Sequence, residues 1–237
     1  LVFVLILFFG KTYITPIFKP LPTTIFALLS FIASLAFGNH VLMHLPSIDF
    51  RAYKIGDNLT KNMSTPEDAP KAIQEFTWVF NVNGEEKIIV TDGSYPTVEG
   101  DYVSVETEVI DEGYQPSILD FSIESEEEDL TDVFLAQDKL IMIVSYNLDT
   151  AEKEGLQKLK ALSEKAQSKG YTVIGLSASG KDAIANINKT YGLGFEFYLC
   201  DEKALKTVVR SNPGVLELNQ GTVQQKVHWN DIDNLDL

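Results

Sequence analysis

The sequence predicts an α/β protein in which transmembrane helices are followed by a small antiparallel β element and an α/β domain. Three observations lead to this prediction. No Asp or Glu precedes Asp49, so all 34 acidic residues lie in the part of the chain that begins there. An Asn-Gly pair between two alternating stretches indicates a hairpin. Beyond residue 117, strand-like and helix-like stretches alternate, which is typical of a largely parallel sheet.

The first predicted segment, residues 1–48, is transmembrane. Ile25–Leu45 is apolar and long enough to cross a hydrocarbon core of about 30 Å. Leu1–Phe9 is too short to span alone, and we expect it to be the end of a helix that begins upstream, so that the chain is a fragment. A signal peptide is disfavoured because no basic region precedes the apolar residues.

The orientation in the membrane follows from the basic residues near the span. The loop before it has two lysines, and the segment after it has three basic residues, Arg51, Lys54 and Lys61. Because cytoplasmic flanks carry the excess of Lys and Arg, this difference slightly favours a cytoplasmic body.

Composition excludes several functions for the body. A formal net charge of −15 argues against a nucleic-acid partner, since phosphate binding needs clustered basic residues. The acidic run Glu124–Asp129 is typical of a solvated loop and lacks the spaced ligands of a calcium site. His40 and His44 are four residues apart but have no third ligand nearby, so we predict interfacial polar residues, no metal site and no cofactor.

A linker and a β element are predicted after the membrane segment. Residues 49–71 are rich in Gly, Pro, Asn and Ser and are predicted to be a linker. Residues 72–116 form the β element, with strands Glu75–Val82 and Glu85–Thr91 around Asn83-Gly84 and a third at Tyr102–Ile110.

The α/β domain is predicted over residues 117–237. Lys139–Tyr146 is a continuous apolar run, as expected for a strand buried on both faces. The other predicted strands are Ile118–Ile123, Tyr171–Ser177, Phe195–Cys200, Gly214–Asn219 and Thr222–Trp229. The predicted helices are Thr150–Lys169, Lys181–Tyr191 and Glu202–Val209.

The end of the domain carries a family resemblance. Cys200–Val223, CDEKALKTVVRSNPGVLELNQGTV, resembles the C-terminal half of thioredoxin-like and peroxiredoxin-like domains. In these domains a helix and an Arg-x-x-Pro precede a hairpin, and the resemblance places Pro213 at the cis-proline. Val173–Ser179, VIGLSAS, also resembles the strand that follows the first helix in redoxins. The resemblance implies a thioredoxin-like domain over roughly residues 117–234.

The sequence departs from that family where its reactive cysteines are expected. After the central strand this chain has Tyr146-Asn147-Leu148-Asp149-Thr150, without a thiol. Hydroxyl and carboxylate groups cannot replace thiolate in thiol–disulfide exchange, so the usual redox reaction is absent here. By analogy, a peptide groove would be lined by Tyr146, Asn147, Arg210 and Pro213.

No catalytic residue is predicted, and Cys200 is the only thiol candidate in the chain. It directly precedes Asp201, an expected helix N-cap, whose amides would lower a thiol pKa while its carboxylate would raise it. Its position differs from that of the family nucleophile. A buried structural cysteine at a strand end is the commoner arrangement.

The membrane part has a resemblance of its own. His44–Leu59, HLPSIDFRAYKIGDNL, is similar to the exit from the last helix of DoxX-like bacterial membrane proteins, which are related to the MauE type. Some members carry a thioredoxin-like extension. The resemblance covers roughly Leu1–Leu59 and implies four transmembrane helices, the first of which are missing here, in a bacterial inner membrane.

Two function hypotheses follow. The first is a membrane-anchored, redox-inactive thioredoxin-like module that binds a protein partner or stabilises a membrane complex, and that is not itself an enzyme. The second is a component of a membrane thiol or quinone oxidoreductase system, with its redox centres in the missing helices or on a partner. The absent thiols favour the first hypothesis for this chain.

Overall fold

The computed structural model describes residues 20–237, and the predicted helix end at Leu1–Phe9 lies outside them. Helix α1 is Pro20–Met43. Its segment Thr24–Met43 is, within residues 20–237, the single helix long and apolar enough to cross a membrane. The described residues therefore contain one candidate span, whereas several transmembrane helices are predicted. A separate compact unit begins at Asp49.

The β element is a three-stranded antiparallel sheet with strands β1 (Ile73–Val82), β2 (Glu85–Thr91) and β3 (Asp101–Asp111). Strand β1 lies in the middle. Asn83 and Gly84 have φ values of 56° and 90°, as a tight type I′ turn requires. The predicted hairpin is confirmed.

The α/β domain is built on a five-stranded sheet. Its strands are β4 (Leu140–Val144), β5 (Thr172–Ser177), β6 (Glu196–Leu199), β7 (Gly214–Asn219) and β8 (Thr222–His228). Their spatial order is β6-β5-β4-β7-β8. Strands β4, β5 and β6 are parallel, whereas β7 and β8 form an antiparallel hairpin. This confirms the predicted parallel core with a terminal hairpin.

Helices complete the domain. They are α2 (Leu59–Met63), α3 (Thr131–Leu135), α4 (Lys153–Ser168), α5 (Lys181–Tyr191) and α6 (Glu202–Val208), with 3₁₀ turns at Leu148–Thr150 and Trp229–Asn234. Helix α4 buries Leu156, Leu159 and Leu162 in a cluster with residues of β4 and β7. These leucines lie on one face of the helix, as their spacing in the sequence predicts.

Two predicted elements are corrected. Ile118–Ile123 is not a strand, because its backbone donors bond elsewhere: the Ile118 N–H donates to the Asn62 carbonyl at 3.1 Å and the Ile123 N–H to the Thr131 hydroxyl at 2.8 Å. The helix predicted from Thr150 begins instead at Lys153, because Glu152 is extended and its N–H donates to the Asn212 carbonyl at 2.8 Å.

Residues 49–71, predicted to be a linker, lie partly against the hairpin β7–β8. The Gly56 N–H donates to the Val223 carbonyl at 2.8 Å, and the Val223 N–H donates to the Asp57 carbonyl at 2.9 Å. Tyr53 and Leu59 are buried, with exposed fractions of 2% and 0%. The segment therefore contributes to the packing of the domain.

Candidate functional site

The candidate site is the loop between β4 and α4, where the thioredoxin-like resemblance places reactive thiols. Asn147 closes this loop, because its side-chain oxygen accepts from the Asp149 N–H at 3.0 Å and the Thr150 N–H at 3.3 Å. These bonds cap the 3₁₀ turn Leu148–Thr150. The Leu148 N–H donates to the Ser179 hydroxyl at 2.9 Å, which ties the loop to the end of β5.

Asn212 holds the loop from the opposite side. Its side-chain oxygen accepts from the Ser145 hydroxyl at 2.7 Å. Its amide nitrogen donates to the Asn147 carbonyl at 2.7 Å and to the Thr150 hydroxyl at 3.3 Å. Both ends of this largely buried amide are thus occupied within the protein, and buried amides are stable only when they are so paired.

Pro213 lies beneath the start of α4. The Asn212–Pro213 peptide bond is cis, as the resemblance implies, and Pro213 is buried. A Cβ at Gly155 would lie 2.9 Å from Pro213 Cδ and 2.7 Å from Trp229 Cβ, so only glycine allows this approach of α4. The Ser211 hydroxyl donates to the Pro213 carbonyl and accepts from the Trp229 N–H at 2.9 Å.

The four predicted groove residues have different surroundings in the structure. Asn147 and Pro213 are brought together through Asn212. Tyr146 is half-buried, and the Lys206 ammonium lies 5.2 Å from the centre of its ring, within the range of a cation–π contact. Arg210 is exposed, and no hydrogen bond or ion pair joins its side chain to another residue of the described range 20–237.

Cys200 lies at the end of β6 and is 6% exposed. Burial raises the pKa of its thiol to about 11, because the charged form loses hydration, and the nearby Asp201 carboxylate adds to the rise. Hydrogen bonds to the backbone of Ser122 and Asp201 offset only part of this increase. At neutral pH the group is therefore a neutral thiol, which is a poor nucleophile.

Residues 20–237 contain no group of three or more His, Cys, Asp or Glu side chains placed to hold a metal ion. The rings of His40 and His44 lie with their centres 4.5 Å apart. This is the pair for which the sequence predicts interfacial polar residues and no metal site.

Sequence reasoning missed the residues that close the loop, which are Ser145, Ser179 and Asn212. Ser145 is the second-last residue of a predicted strand, Ser179 follows another and Asn212 precedes a third, so a polar residue near a strand end was the available signal. It does not show which strand ends meet, because Ser145 and Asn212 are 67 residues apart.

Similarity to known proteins is found among solved structures. No family model matches the sequence, and no curated protein matches it significantly. Among solved structures, reduced Prx3 from Vibrio vulnificus is 7% identical, with 45% of this chain and 80% of that chain covered and a TM-score of 0.37. A thiol:disulfide interchange protein from Bacteroides sp. is 11% identical, with 48% and 82% covered and a TM-score of 0.37. StoA from Bacillus subtilis is 17% identical, with 45% and 84% covered and a TM-score of 0.34. These neighbours have thioredoxin-like or redoxin folds.

Proposed function

We propose that this chain is a membrane-anchored, redox-inactive thioredoxin-like protein whose body binds a protein partner or stabilises a membrane complex. One observation carries the proposal. The loop between β4 and α4 has no thiol, and the Asn147 and Asn212 amides close it by hydrogen bonds. Such a loop is a fixed surface and not a nucleophilic centre.

The chemistry of thiol exchange supports the same conclusion. Exchange requires an accessible thiolate that attacks a disulfide sulfur. Cys200 is buried, and its pKa is raised to about 11. The similar structures include a thiol:disulfide interchange protein and a reduced Prx3 in complex with hydrogen peroxide, whereas the loop between β4 and α4 of this chain contains no thiol.

We place the partner-binding surface at the groove residues Tyr146, Asn147, Arg210 and Pro213. Tyr146 and Arg210 supply an aromatic ring and an unpaired guanidinium, two groups that are enriched in binding surfaces. Asn147 and Pro213 supply the rigid support, since both are held by the Asn212 network or by α4.

We further propose that α1 is the last span of a DoxX-like, MauE-related membrane part in a bacterial inner membrane, with the body in the cytoplasm. The support is the similarity of His44–Leu59 and the basic residues that follow α1. A protease added to intact spheroplasts should leave the body uncut and should degrade it only after lysis. Degradation in intact spheroplasts would reverse the orientation.

The binding proposal is tested by photo-crosslinking in native membranes. A photoreactive residue at Tyr146 should give a discrete crosslinked band, whereas the same residue at the exposed Glu164 on α4 should give none.

Redox inactivity is tested separately. A disulfide-reduction assay on the full chain should show no activity above background. Activity that disappears in Cys200→Ser would overturn redox inactivity and make Cys200 a redox centre.

A further inference from the structure

Strand β6 forms one edge of the five-stranded sheet, and part of that edge is open. The Leu199 N–H donates to the Glu124 carbonyl at 2.8 Å and the Leu199 carbonyl accepts from the Glu124 N–H at 2.9 Å, so Leu199 bonds away from β5. Because backbone direction alternates along a strand, Phe197 also directs its N–H and carbonyl outward. Within residues 20–237, no backbone hydrogen bond from outside the sheet reaches these two groups.

The chain that pairs with Leu199 turns away before it reaches Phe197. The Ser125 N–H donates to the Glu128 carbonyl at 2.9 Å, and Glu124 forms a bridge with Asp129. This turn ends the pairing after one residue. The edge has therefore already accepted a single antiparallel residue, and Phe197 is the next position of the edge that faces outward.

A cavity of about 740 Å³ adjoins the open edge, between β6 and α5. Its lining includes the apolar side chains of Ile184, Leu193, Phe195 and Phe197. Asn188 also belongs to this lining, and its side-chain oxygen is buried without a hydrogen-bond partner. Since buried acceptors are nearly always paired, this oxygen is suited to a donor supplied by a ligand.

The charge at the same edge is acidic. Glu126 lines the cavity and forms an ion pair with Lys181 at 2.5 Å. Glu127 and Glu128 are exposed, and neither carboxylate takes part in an ion pair within the described residues 20–237. A ligand with Lys or Arg next to its apolar residue would complement both features.

We propose that the open edge of β6 binds an extended, basic segment of a partner protein by strand addition. Backbone groups of the segment pair with Phe197, an apolar side chain enters the cavity beside Asn188, and a Lys or Arg faces Glu127 and Glu128. A second copy of this chain is a poor occupant because its net charge is −15. The inference rests on the proposed binding role and assigns a surface separate from the groove at Tyr146.

The first test uses the full chain in detergent and fluorescent acetylated peptides of alternating Lys and Val, seven residues long. We expect saturable binding by fluorescence anisotropy. An analogue methylated on alternate backbone nitrogens keeps the charge but cannot pair as a strand, so it should bind about tenfold more weakly or worse. Equal binding of the two peptides, or no saturable binding of the parent, would overturn the proposal.

The second test locates the peptide. Asn188→Ala and the pair Glu127→Gln/Glu128→Gln should each weaken binding severalfold, whereas the exposed Glu164→Gln on α4 serves as the charge control and should not. Loss of binding in Tyr146→Ala but not in Asn188→Ala would move the site to the groove and refute this inference while retaining the proposed function. Self-association that Asn188→Ala abolishes would identify a second copy as the occupant and equally refute it.

Discussion

At the scale of single residues, Lys226 carries a charge into the interior of the body. Its side chain is 3% exposed, and its ammonium lies 2.6 Å from an Asp49 carboxylate oxygen and 3.0 Å from the Tyr53 carbonyl. Asp49 also accepts three hydrogen bonds from Arg51, two from the guanidinium at 2.8 and 3.1 Å and one from the backbone N–H at 3.1 Å. An ammonium can remain buried only when such partners surround it.

The two halves of this ion pair should respond unequally to mutation. Asp49→Ala leaves a buried cation without its counter-ion and should lower the free energy of unfolding by about 3 kcal/mol or more. Lys226→Met replaces the cation by an apolar chain of similar volume, while Asp49 keeps Arg51, so the loss should be about 1 kcal/mol. Urea denaturation measures both. The double variant Asp49→Ala/Lys226→Met should recover most of the free energy of unfolding that is lost in Asp49→Ala. Equal losses in the two single variants would contradict this account.

The same carboxylate should make stability sensitive to acid. Burial alone would raise the pKa of Asp49, but hydrogen bonds from Arg51 and Lys226 outweigh it and hold the pKa well below the ordinary value. The unfolded chain therefore takes up the proton first, near pH 4, and the stabilisation present above that pH declines as the pH falls. Unfolding free energies measured from pH 7 to pH 3 should decline less steeply in Asp49→Ala, and parallel curves would contradict the assignment.

Cys200 should be almost inert in the folded protein. With its pKa raised to about 11 by burial, little thiolate exists at neutral pH. Iodoacetamide should label the native full chain far more slowly than the chain in urea, and the native rate should keep rising above pH 10. Cys200→Ser is the control for labelling at other residues, since it removes the only thiol in the sequence. A labelling midpoint near or below the ordinary value of about 8.5 would restore Cys200 as a redox candidate.

At the scale of secondary-structure elements, the approach of α4 to Pro213 decides which residue is tolerated at position 155. Alanine favours a helix over glycine by about 1 kcal/mol, but a Cβ here would lie within 2.9 Å of two neighbouring side chains. Overpacking of this kind costs about 1–3 kcal/mol, so Gly155→Ala should destabilise the protein. Thermal unfolding measures the effect.

The matched control reverses the substitution on the same helix. Ala161 is exposed on α4, so Ala161→Gly should lose only the helix propensity, about 1 kcal/mol. Gly155→Ala and Ala161→Gly should therefore both lower the melting temperature, although they exchange glycine and alanine in opposite directions. A gain in stability from Gly155→Ala would mean that α4 is not held against Pro213 as described.

At the scale of the whole molecule, the predictable parts are those fixed by local sequence. The Asn83-Gly84 turn and the apolar run of β4 each contain their own signal, and both were found. Residues 118–123 and 49–71 depend on distant partners: Ile118 bonds to Asn62, and Gly56 bonds to β8. The closing bonds of the candidate site join Ser145 to Asn212, a pairing that no local pattern specifies.

This dependence on distant partners predicts where the soluble body begins. A chain starting at Asp49 keeps the buried Tyr53 and Leu59, the ion pair with Lys226 and the backbone bonds to Gly221 and Val223. A chain starting at Ala72 loses all of them. Burial of one large apolar side chain is worth about 1.5–3 kcal/mol, so the shorter chain should be less stable by about 3 kcal/mol or more.

Denaturant titration of these two chains checks that expectation. The chain from Asp49 should unfold in one transition, with the higher midpoint. The chain from Ala72 should unfold at a clearly lower denaturant concentration, and it should also have the smaller dependence on denaturant, because less surface is buried in its folded state. Equal midpoints would show that residues 49–71 lie on the domain without stabilising it, and would return them to the role of a linker.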